Sequence, residues 1–86
     1  MILPELKKLL EECENILQDR STEYSKDGRF CAFDCAARVA NTSVDEVFRV
    51  MIAMKLSRIE CGGNVHDSLI DACNYCLLWL AYKEQK

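Results

Sequence analysis

The sequence is poor in residues that break helices, with one proline and three glycines among 86 residues. It has a single histidine and no apolar run of the ~18 residues that a membrane-spanning helix needs. Apolar and polar residues nowhere alternate over a sustained stretch, so no half-buried strand competes with helix. A glycine-rich phosphate loop is absent, because Gly62-Gly63 follows a helical stretch and reads as a stop signal. A basic excess is also missing: 11 Lys and Arg against 14 Asp and Glu leave a net charge of −3, no electrostatic footprint for nucleic acid. Met1 to Pro4 lead into a charged amphipathic stretch rather than an export signal. These absences indicate a cytoplasmic chain with no membrane and no nucleic-acid partner. Its length makes one domain over 1–86, whose small core calls for support from disulfides, a metal or oligomerisation.

Cysteine, by contrast, is plentiful, with six residues. Without an export signal the thiols are expected reduced. Cys73-Asn74-Tyr75-Cys76 has C-x-x-C spacing but falls well inside a helix, away from the knuckle of a zinc site or the helix start of a redox pair. The cysteines therefore read as small buried hydrophobes, and no metal or cofactor is expected.

Helical periodicity accounts for the rest of the chain. Pro4 suits a first turn, and Leu6, Leu9, Leu10, Cys13, Ile16 and Leu17 mark an amphipathic helix over 4–19. A polar connector over 20–28, with a turn at Asp27-Gly28, leads to a short helix over 29–40 that Asn41 can end. Ser43 and Glu46 have capping-box spacing at the start of a helix running to Glu60. Cys61-Gly62-Gly63-Asn64 stops it, and Asp67 or Ser68 can cap a last helix over 67–83. The pattern defines a small all-α four-helix bundle with an antiparallel C-terminal hairpin.

The last helix is apolar nearly all round. Leu69, Ile70, Cys73, Cys76, Leu77 and Leu80 form one stripe; Tyr75, Leu78, Trp79 and Tyr82 form a second, opposite. A short chain has difficulty covering both, so the second stripe is expected to be an interface, preferably with another copy of the chain in a dimer or larger oligomer. The alternative is a central helix wrapped by its three neighbours.

The 43–60 helix carries an anomaly. At about 100° per residue, Lys55 and Arg58 fall within the same arc as Val47, Phe48, Met51, Met54 and Ile59. Cations in an apolar arc need anions. Folding the hairpin about Gly63 brings Lys55 level with Asp71, and Arg58 level with Asp67 and Ser68. Two readings stand: a salt-bridge ladder that fixes register, or a polar pocket in which the cations hold phosphate. His66 reads as a loop or capping residue, and Glu11, Glu12 and Glu14 as a solvated face. Spacing assembles no catalytic set, and the reading leans away from an enzyme.

Arg20 and Tyr24, Phe30, Val44-Asp45-Glu46-Val47, Met54-Lys55-Leu56-Ser57-Arg58-Ile59 and Asp67-Ser68-Leu69-Ile70-Asp71-Ala72-Cys73-Asn74-Tyr75 form an ordered set of motifs over about 17–82. This set resembles small phage and prophage proteins of the nucleotide-modification-associated type, although Ser25 stands where those proteins usually carry glycine. The last helix also resembles the closing helix of MazG-like nucleotide pyrophosphohydrolases. Those bind magnesium through two carboxylate pairs; Lys55 and Arg58 occupy the helix where one pair would lie, and two cations repel the ion. The resemblance implies a phage-type accessory protein that binds a nucleotide or similar anion without hydrolysing it. Lys55 and Arg58 would face phosphate, Asp67, Asp71, Asn74 and Tyr75 would line the cleft, and Arg20 and Tyr24 would close it. Two other readings are an interaction protein docking on a host or phage enzyme through Tyr75, Leu78, Trp79 and Tyr82, and a degenerate magnesium-dependent pyrophosphohydrolase.

Overall fold

The computed structural model describes residues 3–20 and 30–85. It contains the helices α1 (Pro4–Asp19), α2 (Cys31–Val39), α3 (Val44–Glu60) and α4 (Val65–Glu84), with no strand among the described residues. The fold is the expected all-α bundle. The connector turn at Asp27-Gly28, Ser25, the expected helix start at 29 and Tyr24 lie outside the described residues.

Local chemistry sets the helix ends. Pro4 occupies the first turn of α1, where a missing N–H costs nothing. Asn41 ends the α2 segment in the left-handed region, φ 56°, which a short polar side chain tolerates, while the Thr42 N–H returns to the Ala37 carbonyl at 2.8 Å. The Ser43 Oγ accepts the Glu46 N–H at 3.1 Å, capping α3. The turn into α4 depends on glycine twice. Gly62 has φ +86°. The Gly63 N–H donates to the Arg58 carbonyl at 2.7 Å, and a Cβ at position 63 would lie 2.8 Å from that same oxygen. The cap of α4 corrects the sequence reading: it is Asn64, whose Oδ1 accepts the Asp67 N–H at 3.0 Å, rather than Asp67 or Ser68. The helix therefore starts at Val65, with His66 and Asp67 inside its first turn.

Helices α3 and α4 form the antiparallel hairpin; α2 packs on α3, and α1 packs on α4. The core is an aromatic cluster of Phe30, Phe33, Phe48 and Tyr75. Phe48 is completely buried and stacks on Phe33, with centroids 4.3 Å apart and planes 20° apart. Trp79 lies parallel to Phe48 at 6.0 Å. Tyr75 meets Phe33 edge-on at 6.3 Å, and Tyr82 meets Phe30 edge-on at 5.7 Å. These are favourable quadrupolar geometries.

This packing reverses the expected roles of the two α4 stripes. Tyr75, Leu78, Trp79 and Tyr82 do not present a docking face; they pack within the chain against Phe30, Phe33 and Phe48. The short helix α2 brings two phenylalanines over that face. The other stripe is the open one, with Leu69, Leu77 and Leu80 exposed, and Leu6, Leu9 and Leu10 of α1 exposed as well. The cysteine expectation changes with it. Only Cys13 is buried, whereas Cys31, Cys35, Cys61, Cys73 and Cys76 are exposed and outside any disulfide. Among the described residues, no helix is long and apolar enough to cross a membrane.

Candidate functional site

A cleft of about 210 Å³ opens between α1 and α4, lined by Ile16, Arg20, Asp67, Ile70 and Asp71. Lys55 reaches Asp71 from α3, with Nζ to Oδ2 at 2.9 Å. That is the length of a charge-assisted hydrogen bond. Both side chains are largely enclosed, 12% and 18% exposed. Arg20 approaches the same carboxylate from the end of α1, Nη1 to Oδ1 at 3.9 Å, with its side chain 43% exposed. Asp71 thus stands between an enclosed cation and an exposed one. Residues far apart in sequence meet here because α1 and α3 flank the same stretch of α4.

Arg58 and Asp67 behave otherwise. Arg58 is exposed, and no ion pair among the described residues joins it to Asp67. At the end of α3 its carbonyl is held by Gly63, while Asp67 gathers with Glu12 of α1 and His66. The anticipated two-rung ladder has one rung. Asn74 and Tyr75, expected in the cleft, do not line it. Tyr75 is in the aromatic cluster. Asn74 is buried between α4 and α1, where its Nδ2 donates to the Cys13 carbonyl at 3.3 Å. Its Oδ1 has no hydrogen-bond partner among the described residues. Burial pushes the Cys13 thiol pKa up, with smaller contributions from Cys73 and Glu12. Cys13 therefore stays a neutral packing group rather than a nucleophile.

Two contacts were missed by sequence reasoning. His66 Nε2 lies 2.9 Å from both oxygens of Glu12, so the histidine joins α4 to α1 rather than merely capping a loop. No periodicity signals that pair, because it depends on how α1 crosses α4. Asp45 receives the Trp79 indole N–H at 2.8 Å and the Lys83 ammonium at 3.3 Å. These residues also line an open groove of about 490 Å³ with Cys76 and Leu80. Here a signal existed: the register that sets position 55 opposite 71 sets 45 opposite 81, between Trp79 and Lys83.

Comparison with protein-family models, with curated proteins and with solved structures returns no match to this chain.

Proposed function

We propose that the chain is a small accessory protein that binds a nucleotide or other phosphate-bearing small molecule at the mouth of the Arg20–Asp71–Lys55 cleft, without hydrolysing it. The observation that carries this reading is a solvent-accessible cleft lined by Arg20 and Asp71, with Lys55 reaching Asp71 from α3. These same residues carry the resemblance to nucleotide-modification-associated proteins. Arg20 takes the phosphate, since a guanidinium suits paired oxygens. Asp67 accepts from sugar hydroxyls. Lys55 holds Asp71 in place and is spent on that task. A cleft of about 210 Å³ is below the roughly 300–1,000 Å³ of drug-sized ligand sites, so it admits phosphate and sugar while a base lies outside. Hydrolysis is disfavoured because Lys55 already occupies the carboxylate that magnesium would need. The test is a thermal-shift series with nucleoside mono-, di- and triphosphates and inorganic phosphate. A saturable rise in Tm, lost in Arg20→Gln, is expected. No shift with any of them, or an equal shift in Arg20→Gln, defeats the reading.

A second property has its own support. Contiguous exposed apolar side chains mark an interaction surface. The uncovered leucines lie on α1 and α4. We infer that a second copy of the chain covers them. Sedimentation should report a dimer, and Leu77→Glu with Leu80→Glu should release monomers. A wild-type monomer at high micromolar concentration would overturn this.

A further inference from the structure

Beyond the cleft, a separate group of side chains converges where α1 crosses the first turn of α4. Glu12 comes from α1, and His66 and Asp67 come from α4. Each offers one ligand atom, and all three atoms lie within 4.8 Å of one another. We propose that Glu12, His66 and Asp67 form a binding site for a divalent transition-metal ion of the zinc class, with water completing the coordination.

The donor set suits such an ion. One imidazole nitrogen with two carboxylate oxygens is a borderline set, taken by zinc and its neighbours rather than by magnesium or calcium. With the imidazole neutral, the two carboxylates balance the charge of a divalent ion. The spacing suits it as well. Two ligands bound at about 2.0–2.2 Å and subtending 90–110° at the metal lie about 2.9–3.5 Å apart. His66 Nε2 is 2.9 Å from each oxygen of Glu12, so one ion can meet both residues with little side-chain movement. Three protein ligands leave a coordination position to solvent, as in open zinc sites. Both residues are accessible, His66 53% and Glu12 38% exposed, so the ion has an entry path.

The consequence is structural first. Glu12 and His66 are 54 positions apart, and among the described helices α1 packs on α4 alone. An ion shared between them would staple α1 to the hairpin, as metals do in domains with small cores. Asp67 also lines the cleft, so metal loading would fix one wall of the proposed anion site. The metal site does not depend on that site being used.

The exposed thiols compete for zinc, and the experiment must separate them. His66 is the one histidine of the chain, so its imidazole nitrogens give an unambiguous NMR signal. Zinc is titrated into reduced protein while those nitrogens are followed. The expected result is a saturable Nε2 shift complete near one equivalent, weakened at least ten-fold in Glu12→Gln and in Asp67→Asn, with a zinc-dependent rise in Tm lost in His66→Ala. Circular dichroism confirms that each variant is folded. Zinc uptake with the His66 signals unmoved assigns the metal to cysteines and overturns the proposal. So does an Nε2 shift that survives both carboxylate variants unchanged.

Discussion

The two ends of the α3–α4 hairpin bury the same helix by opposite means. Toward the end of α4, Trp79 and Tyr82 close onto Phe48, Phe33 and Phe30 in a dry aromatic stack. Toward its start, Asp71 holds Lys55 and Arg20, and Asp67 and His66 meet Glu12. Aromatic pairs contribute about 0.5–1.5 kcal/mol each beyond the area they bury. An enclosed ion pair roughly breaks even against an apolar replacement. Stability is therefore concentrated at the aromatic end, and chemistry at the charged end.

The sharpest way to break that contrast is Phe48→Ala. Removing this completely buried ring should cost about 3–5 kcal/mol, a large share of the ~4–13 kcal/mol available to a domain this size. Thermal denaturation followed by far-UV circular dichroism should show a collapse of Tm or no cooperative transition. A loss below about 1 kcal/mol would remove the aromatic end as the seat of stability. At the charged end, Lys55→Met should cost about 2–3 kcal/mol, because Asp71 is left largely enclosed without its short ion pair. Adding Asp71→Leu should return stability to within about 1 kcal/mol of wild type. A double variant as unstable as the single one would show that the pair is more than a self-compensating unit.

The same contrast explains what was legible in sequence. All four helices were readable, α1 over its full range, because period, caps and glycines act locally. The Lys55–Asp71 pair was readable because a short hairpin fixes register by symmetry. The assignment of the two α4 faces was not. Both stripes are apolar, and which is covered depends on where a helix of nine residues, α2, places Phe33 together with its cap Phe30. Crossing geometry also hid the Glu12–His66 contact. Arg58 was misjudged because the apolar arc is wide: Arg58 lies about 60° round the helix from Lys55, on a flank that stays exposed.

A smaller effect is expected from Trp79→Phe. Phenylalanine keeps a ring beside Phe48 but cannot donate to Asp45. The loss should be about 1 kcal/mol, since Asp45 is partly exposed and retains Lys83. Urea unfolding of this variant and of Asp45→Ala, which removes the acceptor, should give comparable losses. A Trp79→Phe variant as unstable as Phe48→Ala would mean that the indole is part of the core rather than a lid on it.

Arg58→Ala should change least, and it separates two positions that share one helical arc. Arg58 is three residues beyond Lys55, yet it is exposed and enters no ion pair among the described residues. Its replacement should shift stability by no more than about 0.5 kcal/mol, against about 2–3 kcal/mol for Lys55→Met. It should also leave any nucleotide-induced rise in Tm intact, because the proposed anion sits at Arg20 on the α1 side of the hairpin. If Arg58→Ala abolishes that rise while Arg20→Gln preserves it, the anion lies on the outer surface of α3, and the cleft is only a structural ion pair. Thermal-shift titrations of the two variants beside wild type decide between these sites, because each site predicts the opposite order of effects.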